Sequence, residues 1–240
     1  MLCFRCNPRL TFRVMQRTRV KICGIMTPDA AVWAATAGAD AIGLVFYPPG
    51  RRNVTPQTAQ GIIAVLPPFV TPVGLFVDAD PDTILRTARE IGLRHVQLHG
   101  NEPPADVAAL AAQRLRPIKA IAVRPESLDE DLAPWRNLAA AHPGALGGII
   151  LETASTAAPG GTGIPNDWDA IRTAQDRGAF DGLPPIIAAG GLNPDNVADV
   201  IRTIRPYAVD VSSGVETNGQ KDPNRITAFI GAVHRADHDR

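Results

Sequence analysis

A thiol and a carboxylate stand at the ends of two short apolar segments, where acid–base chemistry could be exposed to a cleft. Cys23 ends the segment that begins at Val20, and Glu152 directly follows the apolar residues 149–151. A thiolate can act as a base when its neighbours favour ionisation, and a carboxylic acid among apolar residues can act as a general acid. The competing interpretations are a buried small hydrophobic side chain for Cys23 and a solvated loop residue for Glu152.

Two glycine-containing turns near the end of the chain predict an anion site. Gly190 and Gly191 follow one apolar segment, and Ser213 and Gly214 follow the next. Glycine lets backbone N–H groups approach an anion closely, and N–H groups at the start of a helix attract phosphate. Two ordinary turns are the alternative.

Three further features follow apolar segments. Arg51 and Arg52 lie in one loop, and an arginine can hold a carboxylate with two parallel hydrogen bonds. His99 is either a hydrogen-bond donor to a substrate or a packing residue at the end of a strand. Residues 160–163, Gly-Gly-Thr-Gly, form either a lid or a plain flexible loop.

The elements that carry these residues alternate between two kinds of sequence. Nearly continuous apolarity predicts strands that are buried on both faces, as in a parallel sheet, at 20–23, 41–46, 72–77, 95–98, 118–123, 148–151, 185–189 and 208–211. Helical spacing and N-cap residues predict helices at 28–37, 57–66, 82–91, 103–114, 128–141, 168–177, 195–204 and 224–234. Eight such units predict an α/β fold, a single (β/α)8 TIM barrel over residues 19–240. A doubly wound open sheet is the alternative.

Composition excludes several classes of protein. The 240 residues contain 24 Lys and Arg against 24 Asp and Glu, so bulk charge argues against a nucleic-acid binder. No apolar run approaches the ~20 residues of a membrane span. Cys3 and Cys6 form a C-x-x-C pair without the second pair of ligands that a zinc site needs, so no metal is expected.

The first eighteen residues differ from the rest. Five arginines and no acidic residue fall in positions 1–19, so a basic tail precedes an acidic body. We interpret 1–18 as a dispensable extension, either disordered or produced by a misassigned start, since Met15 offers a later one. An arginine-rich organelle transit peptide is the alternative.

Five motifs, each at a predicted strand end, together resemble the phosphoribosylanthranilate isomerase family. The resemblance runs from about Arg19 to the last helix and is carried by residues 21–25 (KICGI), 96–102 (VQLHGNE), 160–168 (GGTG to DW), 189–197 (AGGLNPDNV) and 209–222 (VDVSSGVE to GQKD).

The resemblance implies an Amadori rearrangement in tryptophan biosynthesis that needs no cofactor or metal. Cys23 would be the base, Glu152 the acid, and Arg52 the residue that binds the anthranilate carboxylate. The remaining implied substrate contacts, including those that hold the phosphate, are His99, Gly190, Gly191, Asp210, Ser213 and Gly214. The implied partner is a small phosphorylated substrate, with no nucleic acid and no membrane. We expect a cytoplasmic monomer, with a homodimer as the alternative.

One departure from the family bears on activity. The family has Asp where this chain has Glu152, which places the acid group one methylene further from the backbone. A displacement of about 1 Å can cost on the order of 100-fold in rate. Two alternatives therefore stay open: a related phosphosugar isomerase with another substrate, and a degenerate barrel that binds a phosphorylated ligand without turning it over.

Overall fold

The computed structural model describes residues 17–153 and 166–239, and in it eight parallel strands close into a barrel. Each strand pairs with the next in the chain, and the first pairs with the last through Val20 and Val209. The predicted TIM barrel is confirmed. Its strands are β1 (Arg19–Cys23), β2 (Ala41–Phe46), β3 (Thr71–Phe76), β4 (His95–Leu98), β5 (Arg116–Val123), β6 (Gly148–Thr153), β7 (Ile186–Ala188) and β8 (Ala208–Val211).

A helix follows every barrel strand. The helices are α1 (Pro28–Ala37), α2 (Pro56–Ala64), α3 (Pro81–Ile91), α4 (Pro104–Ala112), α5 (Leu128–Ala141), α6 (Trp168–Asp176), α7 (Val197–Ile204) and α8 (Pro223–His238). After β8 come a 3-10 turn (Ser213–Val215) and a short hairpin, β9 (Glu216–Thr217) and β10 (Gln220–Lys221). Thr55-Pro56 and Asp80-Pro81 start α2 and α3, because proline at the first turn is already fixed in φ and the preceding side chain caps the helix.

Two apolar layers hold the barrel. The larger one lies between the strands and the helices and includes Ile22, Leu44, Phe76 and Phe229. The smaller one, which includes Ile150, Ile187 and Ala189, fills the barrel interior. Alternation along each strand therefore sends one set of side chains outward and leaves the other set, including Lys21 and Cys23, facing inward.

Local side chains move some boundaries away from the prediction. Helix α7 starts at Val197 rather than at 195, because the Asn193 side chain accepts the N–H groups of Asp195 and Asn196 in a turn of its own. Helix α6 begins at Trp168 as predicted, and the Asp167 side chain caps it by accepting the Ala170 N–H. Strand β6 extends to Thr153, so that Glu152 is a strand residue in register with Ala122.

At the start of the described chain, two residues of the predicted extension are held against the barrel. Arg17 forms an ion pair with Asp40, and the Thr18 N–H and hydroxyl groups both donate to Asp237. The ordered body therefore includes residues 17 and 18. Residues 1–16, with Cys3, Cys6 and Met15, and the loop 154–165 with its Gly-Gly-Thr-Gly run, lie outside the described residues.

Candidate active site

A cavity of about 450 Å³ opens at the carboxyl ends of the strands. Because a parallel barrel brings all its strand ends to one face, residues far apart in sequence meet there. Eight of the nine predicted site residues line the cavity, and the ninth, Gly214, directly follows the lining residue Ser213 in the chain. The lining comprises Cys23, Val45, Tyr47, Pro49, Gly50, Arg51, Arg52, Leu75, Val77, Gln97, His99, Glu152, Ala189, Gly190, Gly191, Leu192, Asp210, Val211, Ser212 and Ser213.

Cys23 is a buried free thiol in the cavity wall, only 6% exposed. Strand β2 makes room for it with Gly43, where a Cβ would come within 2.6 Å of the Cys23 Sγ. Burial raises the pKa of Cys23 above its ordinary value, and the negative charge of Asp210 acts in the same direction. The positive charges of Lys21 and Lys221 act against this rise and favour the thiolate.

Lys21 lies two residues before Cys23 on the same inward face of β1. Its Nζ donates to Asp210 Oδ2 at 2.7 Å and to Gln97 Oε1 at 2.9 Å, inside the barrel. Burial lowers the pKa of Lys21, but the charges of Asp210 and Cys23 outweigh this effect and the pKa is raised. Lys21 is therefore a permanent cation beside the thiol.

Glu152 faces His99 across the cavity. The His99 Nε2 lies 2.8 Å from Glu152 Oε2, and the side chains are 10% and 16% exposed. The other ring nitrogen, Nδ1, lies 2.9 Å from Gln97 Nε2. The interpretation of Glu152 as a solvated loop residue is therefore wrong, because the carboxyl group is mostly buried and sits on a strand.

The two arginines of the loop after β2 converge on one carboxylate. Arg52 contacts Glu216 through Nε at 2.7 Å and Nη2 at 3.1 Å, while Arg51 Nη2 and Lys221 Nζ contact it at 2.6 and 2.7 Å. Burial raises the pKa of Glu216, but the hydrogen bond from Arg52, the charge of Lys221 and the remaining bonds lower it to about 2. Three cations around one anion leave this wall of the cavity positively charged.

Arg52 reaches this position by crossing the backbone of the loop after β1. Gly24 has φ +76°, and a Cβ at this residue would overlap the Arg52 Cδ. Glycine is therefore required at position 24 both for its backbone angle and for the close approach of Arg52.

In the part of the chain that the structure describes, the glycine turns after β7 and β8 hold N–H groups with no backbone acceptor. Asn166 Nδ2 donates to the Ala189 carbonyl at 2.9 Å, and Asn196 Nδ2 donates to the Gly191 carbonyl at 2.9 Å. A trans peptide unit points its N–H away from its carbonyl. The N–H groups of Gly190 and Leu192, which follow these two carbonyls, therefore face the opposite side of the turn. Within the described chain, the N–H groups of Ser213 and Gly214 start the 3-10 turn without backbone acceptors. This is a suitable binding site for an anion.

Lys119, on β5, is hydrogen-bonded to the loop after β4. Its Nζ donates to the Gly100 carbonyl at 2.6 Å and to Glu102 at 2.8 Å, and Glu102 accepts the N–H groups of Asp78 and Gly100. The loop that carries His99 is thereby fixed to β3 and β5.

Sequence reasoning missed six side chains that build this site: Lys21, Gln97, Lys119, Lys221, Glu102 and Glu216. One signal could have found some of them, because Lys21 and Gln97 each stand two residues before a predicted site residue and so share its face of the strand. Another signal is that Lys21, Lys119 and Lys221 are the only lysines of the chain.

Within residues 17–153 and 166–239, no three His, Cys, Asp or Glu side chains are grouped as ligands for a metal ion. None of the helices in this same part of the chain combines the length and apolarity that crossing a membrane requires.

Known proteins resemble this chain in both sequence and fold. The family model of N-(5'-phosphoribosyl)anthranilate isomerase matches residues 20–232. An enzyme of that name from Desulfitobacterium hafniense is 40% identical over 236 residues, which cover 90% of this chain and 98% of that protein. A phosphoribosylanthranilate isomerase in complex with reduced 1-(o-carboxyphenylamino)-1-deoxyribulose 5-phosphate is 38% identical, with a TM-score of 0.75, over 91% of this chain and 99% of the other.

A further solved structure is that of mutually generated monomers of the dimeric phosphoribosylanthranilate isomerase from Thermotoga maritima. It is 36% identical, with a TM-score of 0.74, over 91% of this chain and 99% of the other. The chain belongs to the N-(5'-phosphoribosyl)anthranilate isomerase family.

Proposed function

We propose that Cys23 and Glu152 are the base and the acid of the Amadori rearrangement that defines this family of isomerases. The reaction converts N-(5'-phosphoribosyl)anthranilate into 1-(2-carboxyphenylamino)-1-deoxyribulose 5-phosphate, a step of tryptophan biosynthesis. The observation that carries the proposal is the presence of a thiol and a carboxyl group in the walls of one cavity, on the nonadjacent strands β1 and β6.

The two groups divide the proton transfers between them. Protonated Glu152 gives its proton to the furanose ring oxygen, the bond from C1' to that oxygen breaks, and a Schiff base forms. The Cys23 thiolate then removes the proton from C2', and the resulting enol rearranges to the ketoamine. General acid–base catalysis by positioned groups is worth about 10²- to 10⁴-fold for each group.

The remaining lining accounts for the three polar parts of this substrate. The anthranilate carboxylate would accept from Arg52. Because the bonds from Arg52 to Glu216 use Nε and Nη2, the third nitrogen, Nη1, would donate to the substrate. The phosphate would meet the N–H groups of Gly190, Gly191, Ser213 and Gly214. A sugar hydroxyl would donate to Asp210 Oδ1, a buried oxygen with no hydrogen-bond partner among the described residues.

Glu152 fits this role despite being longer than the family's Asp. Its extra methylene is taken up by the contact with His99 Nε2 at 2.8 Å, which fixes the carboxyl group in the cavity wall. Because both ring nitrogens of His99 are engaged by side chains, we assign His99 to holding Glu152 rather than to binding substrate directly.

Steady-state assays of the full chain with N-(5'-phosphoribosyl)anthranilate test the proposal. We expect turnover by the wild type and a loss of about 10²- to 10⁴-fold in kcat for Cys23→Ala and for Glu152→Gln. Gln113→Glu, an exposed change far from the cavity, serves as the control and should leave the rate unchanged. Full activity in either active-site variant would refute the assignment.

Two other variants separate the open alternatives. If Arg52→Ala left kcat/KM unchanged, the substrate would lack the aromatic carboxylate and another phosphosugar would be indicated. Glu152→Asp should lose activity here, because the shorter stem leaves His99 out of reach. A large gain from an inert parent would indicate a degenerate barrel instead.

We further propose that the chain acts in the cytoplasm as a monomer. The free thiol of Cys23 supports a reducing compartment. A relative is described as dimeric, which keeps a homodimer as the alternative. Fractionation of cells that carry a tagged chain, and light scattering of the purified protein, test the two statements.

A further inference from the structure

A line of hydrogen bonds crosses the barrel interior along the wall of the cavity. It runs from Asp210 on β8 to Lys21 on β1, then to Gln97 on β4, to His99, and to Glu152 on β6. The successive distances between polar atoms are 2.7, 2.9, 2.9 and 2.8 Å. Gln97, at the centre of the line, is 1% exposed.

The direction of every bond in this line follows from Lys21. An ammonium group only donates hydrogen bonds, so the oxygen of the Gln97 amide must face it. The amide nitrogen then faces His99, and an amide nitrogen also only donates. The His99 Nδ1 must therefore accept, and it carries no proton.

The reverse orientation of Gln97 is unfavourable on both sides. Turning the amide around would place its NH₂ group against the Lys21 ammonium, donor against donor, at two buried side chains. A buried donor left without an acceptor costs about 1–3 kcal/mol, and more when a charged group is involved. The cation thus selects one amide orientation, and that orientation selects one tautomer of the imidazole.

We propose that Lys21 and Gln97 are positioning residues that hold His99 as the neutral Nε2–H tautomer, so that it donates to Glu152 Oε2. The tautomer stands independently of the reaction, whereas its catalytic consequence rests on the proposed role of Glu152.

The consequence concerns where the proton of Glu152 resides. Because Oε2 accepts from His99, the transferable proton lies on the other carboxyl oxygen. His99 cannot take that proton itself, since Nε2 already carries one and Nδ1 is occupied by the amide of Gln97. His99 therefore does not compete with the substrate for the proton of Glu152.

Nuclear magnetic resonance of the ring nitrogens tests the tautomer directly. In ¹⁵N-labelled full-length protein at neutral pH, we expect His99 to show one protonated nitrogen, Nε2, and one bare nitrogen, Nδ1. The spectrum of His99→Asn assigns the signals among the five histidines. A protonated Nδ1 in the wild type would overturn the proposal, whatever the variants do.

Gln97→Glu changes the selected proton position with almost no change in shape. A carboxylate can still accept from Lys21, but its second oxygen can only accept from His99, so Nδ1 must now carry a proton. We expect the Nδ1 resonance to move to the protonated position and kcat to fall by about 10- to 100-fold. An unchanged Nδ1 signal in a folded variant would overturn the proposal.

Two comparisons complete the design. Gln113→Glu makes the same substitution at the exposed end of α4 and should move neither the His99 signals nor kcat. Gln97→Met removes the donor to Nδ1 but keeps the acceptor Glu152, so the ring should stay unprotonated at Nδ1 while the Nδ1 resonance shifts for want of its hydrogen bond. An Nδ1 resonance identical to that of the wild type would show that the amide of Gln97 does not contact the ring, and would overturn the proposal.

Failure of the proposed function would look different. If the wild type did not turn over N-(5'-phosphoribosyl)anthranilate but the ring signals behaved as expected, the catalytic assignment would fall and the positioning network would stand. If the wild type turned over the substrate normally but His99 carried its proton on Nδ1, the positioning network would fall and the catalytic assignment would stand.

Discussion

All three lysines of the chain are buried, and each contacts a carboxylate. Lys21 contacts Asp210, Lys119 contacts Glu102, and Lys221 contacts Glu216, with each lysine no more than 6% exposed. Every other basic side chain apart from histidine is an arginine. A buried charge is tolerated when it is paired, and each of these three ammonium groups is paired with a carboxylate.

The candidate acid and base could be predicted from the sequence, but the side-chain contacts that position the site residues could not. Cys23 and Glu152 were identified because each ends an apolar segment. The contact between Glu152 and His99 depends on how β4 and β6 are placed around a closed barrel, and the contact between Lys221 and Glu216 depends on a hairpin that no apolar run predicts.

The pH dependence of the reaction should report the balance of charges around Cys23. The thiolate is the active form, and burial raises the pKa of Cys23, so kcat/KM should still be rising on the alkaline side of the ordinary thiol range. Lys221→Met removes a positive charge that lowers this pKa. The rise should therefore move to still higher pH, with a lower kcat/KM at neutral pH, in pH profiles of initial rates.

Lys119→Met is the matched control for this prediction. It removes a cation of similar burial that is paired with Glu102, outside the groups that act on Cys23. Its profile should rise at the same pH as that of the wild type. If Lys221→Met left the alkaline rise in place, the base would not be a thiol under the influence of this cation.

At the scale of the elements, the apolar runs were sufficient to predict eight strands and their order. At the start of α7 the prediction was wrong because the Asn193 side chain had bonded locally to the backbone. Helical periodicity carries no information on such a turn, because the turn is set by one amide group rather than by a repeated pattern.

The turns after β7 and β8 pack so tightly that a side chain cannot be inserted between them. A Cβ on Gly214 would overlap the carbonyl group of Leu192, which belongs to the backbone and cannot rotate away. Gly214→Ala should therefore push the two turns apart and misplace their N–H groups. We expect kcat/KM to fall by at least about tenfold, mainly through a higher KM, in assays that vary the substrate concentration.

Gly61→Ala provides the control for this substitution. Gly61 lies inside α2, and a Cβ there would meet no atom within 4 Å. Alanine should leave kcat/KM unchanged and raise the free energy of unfolding by about 0.5–1 kcal/mol, because glycine is the weaker helix former. Equal kinetic effects of the two substitutions would argue against a binding role for the turn at Gly214.

On the scale of the whole molecule, the balanced net charge conceals an uneven distribution. The body is acidic, and its overall field does not attract an anionic substrate. The cluster of Arg51, Arg52, Lys221 and Glu216 has a local excess of two positive charges at the cavity wall. Composition could exclude a nucleic-acid partner, but only the strand-end geometry reveals where a small anion would bind.

The loop between α2 and β3 exposes a large apolar side chain in a strained backbone conformation. Phe69 is 99% exposed and has φ +73°, a left-handed conformation that bulky side chains rarely adopt. Among residues 17–153 and 166–239, Phe69 therefore has no contact that would compensate for the cost of this conformation. A side chain that is buried between two copies of the chain in a dimer would be equally exposed in one copy alone.

Phe69→Asn separates these two cases, because asparagine adopts the left-handed conformation readily. In a monomer the free energy of unfolding should rise by about 1 kcal/mol and Tm by about 2–4 °C, measured by calorimetry. Val65→Asn, at an exposed residue with φ −95°, should give no such gain. A lower Tm for Phe69→Asn, together with a wild-type Tm that falls on dilution, would contradict the monomer. Phe69 would then be buried between two copies, since dilution can destabilise only an assembly.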